Sequence, residues 1–370
     1  MTTKRNLAGR DNNGHFDQYK EFVKGVQLGS LFHVQLFLED HPNAKNEKIT
    51  AQGKTALHIA VAAGHENIVE KLVVLMSEEG LEIQDDDGWT ALAETAFAGN
   101  YRMAKCMLTK NTRLVSIGNV DGRLPVVLAI EGGYKELACF LFSHTPLKDL
   151  EGISVATLCT KAIYTRTLAI ALNLLKNDRH LALAPGKENV SPLYALASTP
   201  NAFPSENQLV FWKRWICSLQ AELRQLVPSL VNLVFGIKDL YEMKVADFRR
   251  GMIMSYMCNV IEMSNDEERK TGCVYTAVFR AIKDGNLEFV YKIVSRNPDL
   301  LRCKDDKGRT IFPSAVLYRQ TKIFSLIYGL HVKLPKVYSQ DCFNNNILHM
   351  AGMLEASAQL NCIPGAALQM

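Results

Sequence analysis

The chain has 370 residues, 48% hydrophobic and 22% charged, with a formal charge of +4 at pH 7; this fits an ordinary soluble protein with ample core material and excludes a chain disordered throughout. That charge is small and interspersed in sign, which argues against a dedicated nucleic-acid surface, so no nucleic-acid partner is expected. The polar start Met1 to Asn6 carries no signal peptide, and the longest apolar run, near Leu230 to Ile237, is far too short to span a bilayer.

In chain order, residues 1–16 are polar and expected to be disordered. A first helical hairpin follows over about 17–48, with Leu31, Val34, Leu36 and Phe37 on its second helix, as an N-terminal cap. Gly29, Gly64, Gly99 and Gly133 fall 35, 35 and 34 residues apart, each followed by an aliphatic stripe. A second ladder, Gly53, Gly88 and Gly122, leads each time into a short phrase such as Lys54-Thr55-Ala56-Leu57-His58-Ile59-Ala60 or Trp89-Thr90-Ala91-Leu92. Each copy therefore predicts a hairpin tip, a short helix capped by Thr55 or Thr90, a turn at the second glycine, and a second amphipathic helix. Ile68, Val69, Leu72, Val73 and Leu75 form that stripe in one copy, and Leu137, Phe140, Leu141 and Phe142 in another. Neither helix can bury its stripe alone, so the copies must stack.

Beyond residue 149 the register blurs. Val155, Leu158, Ile163, Leu168, Leu172 and Leu175 support two helices of a degenerate fifth copy that has lost its turn residues. Ser191 to Ala197 opens a sixth, with Leu193 lying 67 residues beyond Val126, and Pro200 and Pro204 break it. The expected N-terminal block thus spans 17–200. Residues 201–265 lack the repeat and hold Trp212, Trp215, Pro228 and a mixed-charge stretch to Arg250; they read as a helical connector, an insertion or a hinge. The pattern returns over 266–355, where Phe312 sits 34 residues after Val278 and Leu348 sits 36 after Phe312. Residues 356–370 form a terminal stub.

A turn, Gly, Thr-(Pro/Ala)-Leu-His, Ala and Gly-His at this period resemble the ankyrin repeat, most fully in Gly53 to Met76. The two blocks, with Ile347-Leu348-His349-Met350-Ala351-Gly352 running on towards Pro364-Gly365, resemble plant ankyrin proteins of the accelerated-cell-death and salt-tolerance type. That resemblance implies an all-α ankyrin-repeat solenoid in two blocks joined by a helical segment. It further implies a non-enzymatic scaffold or adaptor that binds a protein partner through a concave groove in plant stress or defence signalling. Relatives of that type continue past this phrase into a C-terminal domain, named for Pro-Gly-Gly, that carries membrane-spanning helices and is missing from this chain. The alternative is therefore the cytosolic sensor portion of a membrane-anchored signalling protein. As it stands the chain is expected in the cytoplasm, as a monomer or weakly self-associating, while full-length relatives sit at the cytoplasmic face of the plasma membrane.

No constellation points to catalysis, a metal or a cofactor. His58 and His349 share the repeat's Leu-His position, where Ala93 and Val127 stand in other copies, so the imidazole is read as bracing neighbouring turn backbone. Gly186-Lys187 lacks the rest of a phosphate loop, and Asp85-Asp86-Asp87-Gly88 lacks the closing Glu of a calcium loop. Cys106, Cys139, Cys159, Cys217, Cys258, Cys273, Cys303, Cys342 and Cys362 are odd in number and scattered, which favours reduced, packed thiols over disulfides or zinc ligands. Trp212 and Trp215, and Arg249-Arg250 with Met252, Met254 and Met257, read as core with a contact surface as the other option. Carried over from the ankyrin groove, the partner-binding candidates are Gln52, Lys54, Asp87, Trp89, Phe97, Arg123, Glu131, Arg309 and Tyr318. Trp89 and Phe97 stand out as large apolar side chains at positions the fold has no need to bury. The competing reading is that Trp89 packs on the adjacent tip.

Overall fold

A computed structural model describes residues 16–150, 153–186, 189–199, 235–326 and 340–353. Trp212, Trp215, Pro228, Cys217, Cys362, residues 1–15 and the stub 356–370 lie outside them. Among the described residues the regular structure is helical, apart from one isolated bridge between Gln84 and Thr90. The chain forms two compact units, residues 1–154 and 155–370.

The first unit is a run of helical hairpins: α1 (Lys20–Gln27) with α2 (Leu31–Asp40), then α3 (Ala56–Ala62) with α4 (Glu66–Leu75) and a short α5 (Glu78–Leu81). α6 (Ala91–Ala98) with α7 (Tyr101–Lys110), and α8 (Pro125–Glu131) with α9 (Lys135–His144), complete it. The first helix of each hairpin packs on the first helices of its neighbours, α1 on α3, α3 on α6 and α6 on α8, while α4 packs on α7. Alanine makes the close approach possible: Ala56, Ala60, Ala91, Ala93 and Ala96 are all buried on these first helices, as are Leu57, Leu92, Val126 and Leu128. Thr90 caps α6 through Oγ1, which accepts from the N–H of Ala93 at 3.1 Å. The expected stripes are buried at Ile68, Val69, Leu72, Val73, Leu137 and Leu141, whereas Leu75 is exposed and Phe140 and Phe142 are half-buried.

The tips follow one rule that the glycines alone did not reveal. Asp85 Oδ1 accepts from the N–H groups of Asp87 (3.1 Å) and Trp89 (2.7 Å), and Asn119 Oδ1 repeats this with Asp121 (3.1 Å) and Arg123 (3.0 Å). Asp305 and Asp341 do the same in the second unit. Asp and Asn are suited to this because their short side chains satisfy backbone donors two and four residues on. Gly53 is held by crowding as well as by its φ of +70°, since a Cβ there would run into the Asp86 carboxylate of the next tip.

The second unit contains α10 (Ile153–Tyr164), α11 (Leu168–Asn177), α12 (Pro192–Ser198), α13 (Phe235–Met263), α14 (Asp266–Thr271), α15 (Val274–Lys283), α16 (Leu287–Arg296), α17 (Ile311–Leu317), α18 (Thr321–Phe324) and α19 (Ile347–Gly352). The fifth copy keeps its turn after all. Arg166 adopts a φ of +60° between α10 and α11, and Arg319 a φ of +58° between α17 and α18. A left-handed non-glycine residue costs about 1–2 kcal/mol, which hairpin packing offsets. Within the segment expected to connect the blocks, α13 packs on both α11 and α16, and α12 packs on α15. α12 and α13 thus occupy the first-helix and second-helix places of one hairpin, with residues 199–234 between them. Ile253, Met254, Met257, Cys258 and Ile261 are buried, which bears on the Met-rich stretch: its methionines at 254 and 257 are core. Arg250 is buried too, donating to the carbonyl of Thr199 at 2.7 Å.

The described cysteines are thiols. Burial pushes Cys159 and Cys303 up to about 12 and Cys258 to about 11, the behaviour of inert packed thiols, whereas Cys139 and Cys342 are exposed.

Candidate functional site

The tips and first helices of the first unit bring four side chains together around α6. Trp89, half-buried on its tip, meets Phe97 at the end of the same helix edge-to-face, with ring centroids 5.7 Å apart at 84°. Phe97 is 57% exposed, enough to offer a ring face outward. Lys54, from the preceding tip, forms an ion pair with Glu94 one turn before Phe97 on α6. The other carboxylate oxygen of Glu94 is buried without a hydrogen-bond partner. An aromatic pair beside a partly sequestered charge pair is the composition of interface anchors, because the apolar area supplies affinity and the charges orientation.

His58 lies under this group and is held from both sides. Its Nδ1 accepts from the Thr55 N–H (3.3 Å) and sits 2.8 Å from Thr55 Oγ1, and its Nε2–H donates to the carbonyl of Trp89 at 2.9 Å. These bonds use up both ring nitrogens of the neutral tautomer, so the imidazole ties one copy to the next tip and has no nitrogen left for chemistry. Burial, the largest cause, lowers its pKa below the usual value, opposed by the Trp89 carbonyl and by Glu94 and Asp85, while Lys54 adds to the lowering. A histidine with a depressed folded pKa contributes fully above its unfolded value of about 6.5, and that contribution is lost as the pH falls through it. The urea unfolding free energy of the first unit should therefore drop between pH 7.5 and 5.5. His58→Gln should be less stable at pH 7.5 and nearly flat over that window; an equal slope in both proteins would refute the assignment.

The remaining candidates distribute as follows. Arg123 pairs with Asp121 (3.1 Å) on its own tip and with Glu131 (3.2 Å) at the end of α8, which extends the charged rim by one copy. Gln52 accepts the Asp86 N–H through its carbonyl at 3.1 Å and so joins two tips, and Asp87 is exposed beside it. Arg309 and Tyr318 belong to the second unit. Arg309 is buried, its guanidinium bonded to Asp305 at 2.6 and 2.7 Å, and Tyr318 is half-buried with the Lys283 ammonium 5.8 Å from its ring centroid.

Glu94 is the member that sequence reading missed. Its signal is weak, since it consists of a carboxylate one period and five residues beyond a lysine. Lys48 adds a second cross-tip pair with Asp86 at 3.3 Å. Within the second unit a cleft of about 510 Å³ is lined by Arg179, His180, Leu183, Val260, Met263 and Glu268 among others. Glu268 there is engaged in its own capping box with Asn265. Among the described residues no group of three or more His, Cys, Asp or Glu side chains is placed to hold a metal ion, and no helix is long and apolar enough to cross a membrane.

The ankyrin repeat family matches residues 52–77, the copy with the fullest phrase. The SMC5-SMC6 complex localization factor protein 1 of Homo sapiens is similar at 34% identity over 99 residues, 26% of this chain and 9% of that protein. Its Bos taurus counterpart is 32% identical over 99 residues, with the same shares. The matched stretch thus spans about a tenth of the length of these relatives. The chain carries an ankyrin repeat within an all-helical repeat fold, and ankyrin repeats are in general protein–protein interaction modules.

Proposed function

We propose that the chain is a non-enzymatic scaffold whose first unit grips a protein partner through the tips and first helices around α6. The observation that carries this reading is the Trp89–Phe97 pair, a large aromatic surface left open beside the Lys54–Glu94 ion pair. Hot spots of protein interfaces are built this way, and truncating one typically costs about 2 kcal/mol or more, roughly 30-fold in affinity. Phe97 can be removed without opening the core because it is more than half exposed. Proximity labelling in cells with the wild-type chain and with Phe97→Ala and Trp89→Ala variants tests this. At least one strongly labelled protein should lose most of its signal in both variants while their thermal unfolding stays close to wild type. An unchanged labelling profile would remove the site from this face.

We carry the finer sequence reading as part of the same proposal: a plant stress or defence protein of the accelerated-cell-death and salt-tolerance type, acting at the cytoplasmic side of the plasma membrane. What supports it is the two-block glycine ladder and the phrase Ile347 to Gly352. The block division, 17–200 and 266–355, is carried with it in amended form: residues 235–263 complete the sixth copy's hairpin, and residues 199–234 are read as an insertion into that copy. A second reading makes the chain the sensor portion of a membrane-anchored protein. Reading the natural transcript past the codon of Met370 for apolar runs of about 20 residues decides between them.

A further inference from the structure

We infer that the far side of α19 is an open stacking face, built to take one more helical hairpin of the same repeat type. The leucine of the repeated phrase carries the first observation. Its counterparts are buried: Leu57 is 1% exposed, Leu92 0%, Val126 0%, Leu193 0%, Val278 0% and Phe312 2%, but Leu348 is 77% exposed. The packing explains the difference. α6 lies between α3 and α8, and α17 lies between α15 and α19, whereas α19 packs closely on α17 alone among the described helices.

The histidine next to it carries a second, polar observation. His349 keeps the capping box seen at His58, its Nδ1 lying 2.7 Å from Asn346 Oδ1 and accepting the Asn346 N–H at 3.2 Å. His58 uses its other nitrogen to donate to the carbonyl of Trp89, a residue of the next tip, at 2.9 Å. The Nε2 of His349 has no acceptor among the described residues. Successive tips are also joined through their backbones at two junctions, where Asp86 N–H donates back to Gln52 (3.1 Å) and Cys342 N–H donates back to Lys307 (2.8 Å).

An apolar knob and an imidazole edge are therefore presented in the register by which the His58 copy meets its successor, and the occupant is a continuation of that established interface. A second copy of this chain stacked head to tail through its α1 is the poorer complement. The exposed positions of α1 are Lys20, Glu21, Lys24 and Gln27, which would bring charge against Leu348. The complement is a hairpin with Asp or Asn opening its tip and a small, apolar first helix. This inference stands independently of the partner site around Trp89.

The experiment uses the full 370-residue chain, with and without one consensus ankyrin hairpin fused after Met370, each with Leu348 and with Leu348→Glu. The 36-residue step from Asp305 to Asp341 sets the register of the fused tip. Fusion should slow hydrogen exchange of the α17 and α19 amides by about tenfold or more and raise the unfolding midpoint. Leu348→Glu should leave the unextended chain unchanged and abolish both gains. Absence of protection on fusion, or a large loss of stability from Leu348→Glu in the unextended chain, would overturn the inference. So would a concentration-dependent dimer in sedimentation that Leu348→Glu dissolves, since that would assign the face to a second copy.

Discussion

Replacing Leu92 with alanine lowers the unfolding free energy of the first unit by about 3 kcal/mol, within the roughly 2–5 kcal/mol span of buried Leu→Ala changes. Leu92 is fully buried on α6, with α3 on one side and α8 on the other, so neither neighbour can collapse into the void without leaving its own partner. In a stack, stability is a sum of hairpin and junction contributions, and a defect at the centre weakens two junctions together. The same substitution at the equivalent Leu348 should change the second unit by less than about 0.5 kcal/mol, as expected of an exposed side chain. Urea titrations of the two variants provide the check. Equal losses would mean that repeat position alone, rather than burial, sets the cost.

Introducing a charge at Ile261 should unfold most of the second unit. Ile261 is fully buried on α13, which packs on α11 and α16. Ile261→Asp removes a large apolar side chain and puts a carboxylate at a fully buried core position, a combination worth at least about 4 kcal/mol. Hydrogen exchange should show protection lost across α11, α13 and α16 while α3, α6 and α8 of the first unit keep theirs. A hinge would behave in the opposite way, since a helix that only spans two blocks tolerates a polar residue. Retained protection in α11 and α16 would therefore return α13 to the status of a connector.

The parts of this fold that could be read along the chain are those set by neighbours within a few residues. A tip needs a residue at positive φ, a helix start needs a side-chain acceptor, and a half-buried helix needs a stripe every 3.6 residues; Gly53, Thr90 and Ile68 to Val73 each declare one of these. Where a local preference was not obeyed, the reading faltered. Arg166 holds the left-handed turn between α10 and α11 without being glycine, because packing on either side outweighs its strain. Leu75 and Phe140 look like core in one dimension, yet they sit at the edge of their stripes.

The candidate site divides along the same line. Trp89 and Phe97 were visible as large apolar residues at tip and groove positions, eight residues apart on one copy. Glu94 was not, because its value comes from Lys54 on another copy, and ion pairing across a junction leaves no periodic mark. Arg309 has the same position in the phrase as Trp89, but its own Asp305 takes up the guanidinium.

Period, tip chemistry and capping are short-range matters, and the residues themselves settled the repeat architecture of this protein through them. Three features waited for the assembled chain: α13 standing as the second helix of a hairpin that some 35 intervening residues had hidden, the ring and charge pairs meeting around α6, and Leu348 lying uncovered. Each depends on which surface arrives from elsewhere in the chain, and burial is decided by that arrival and not by the residue's own identity.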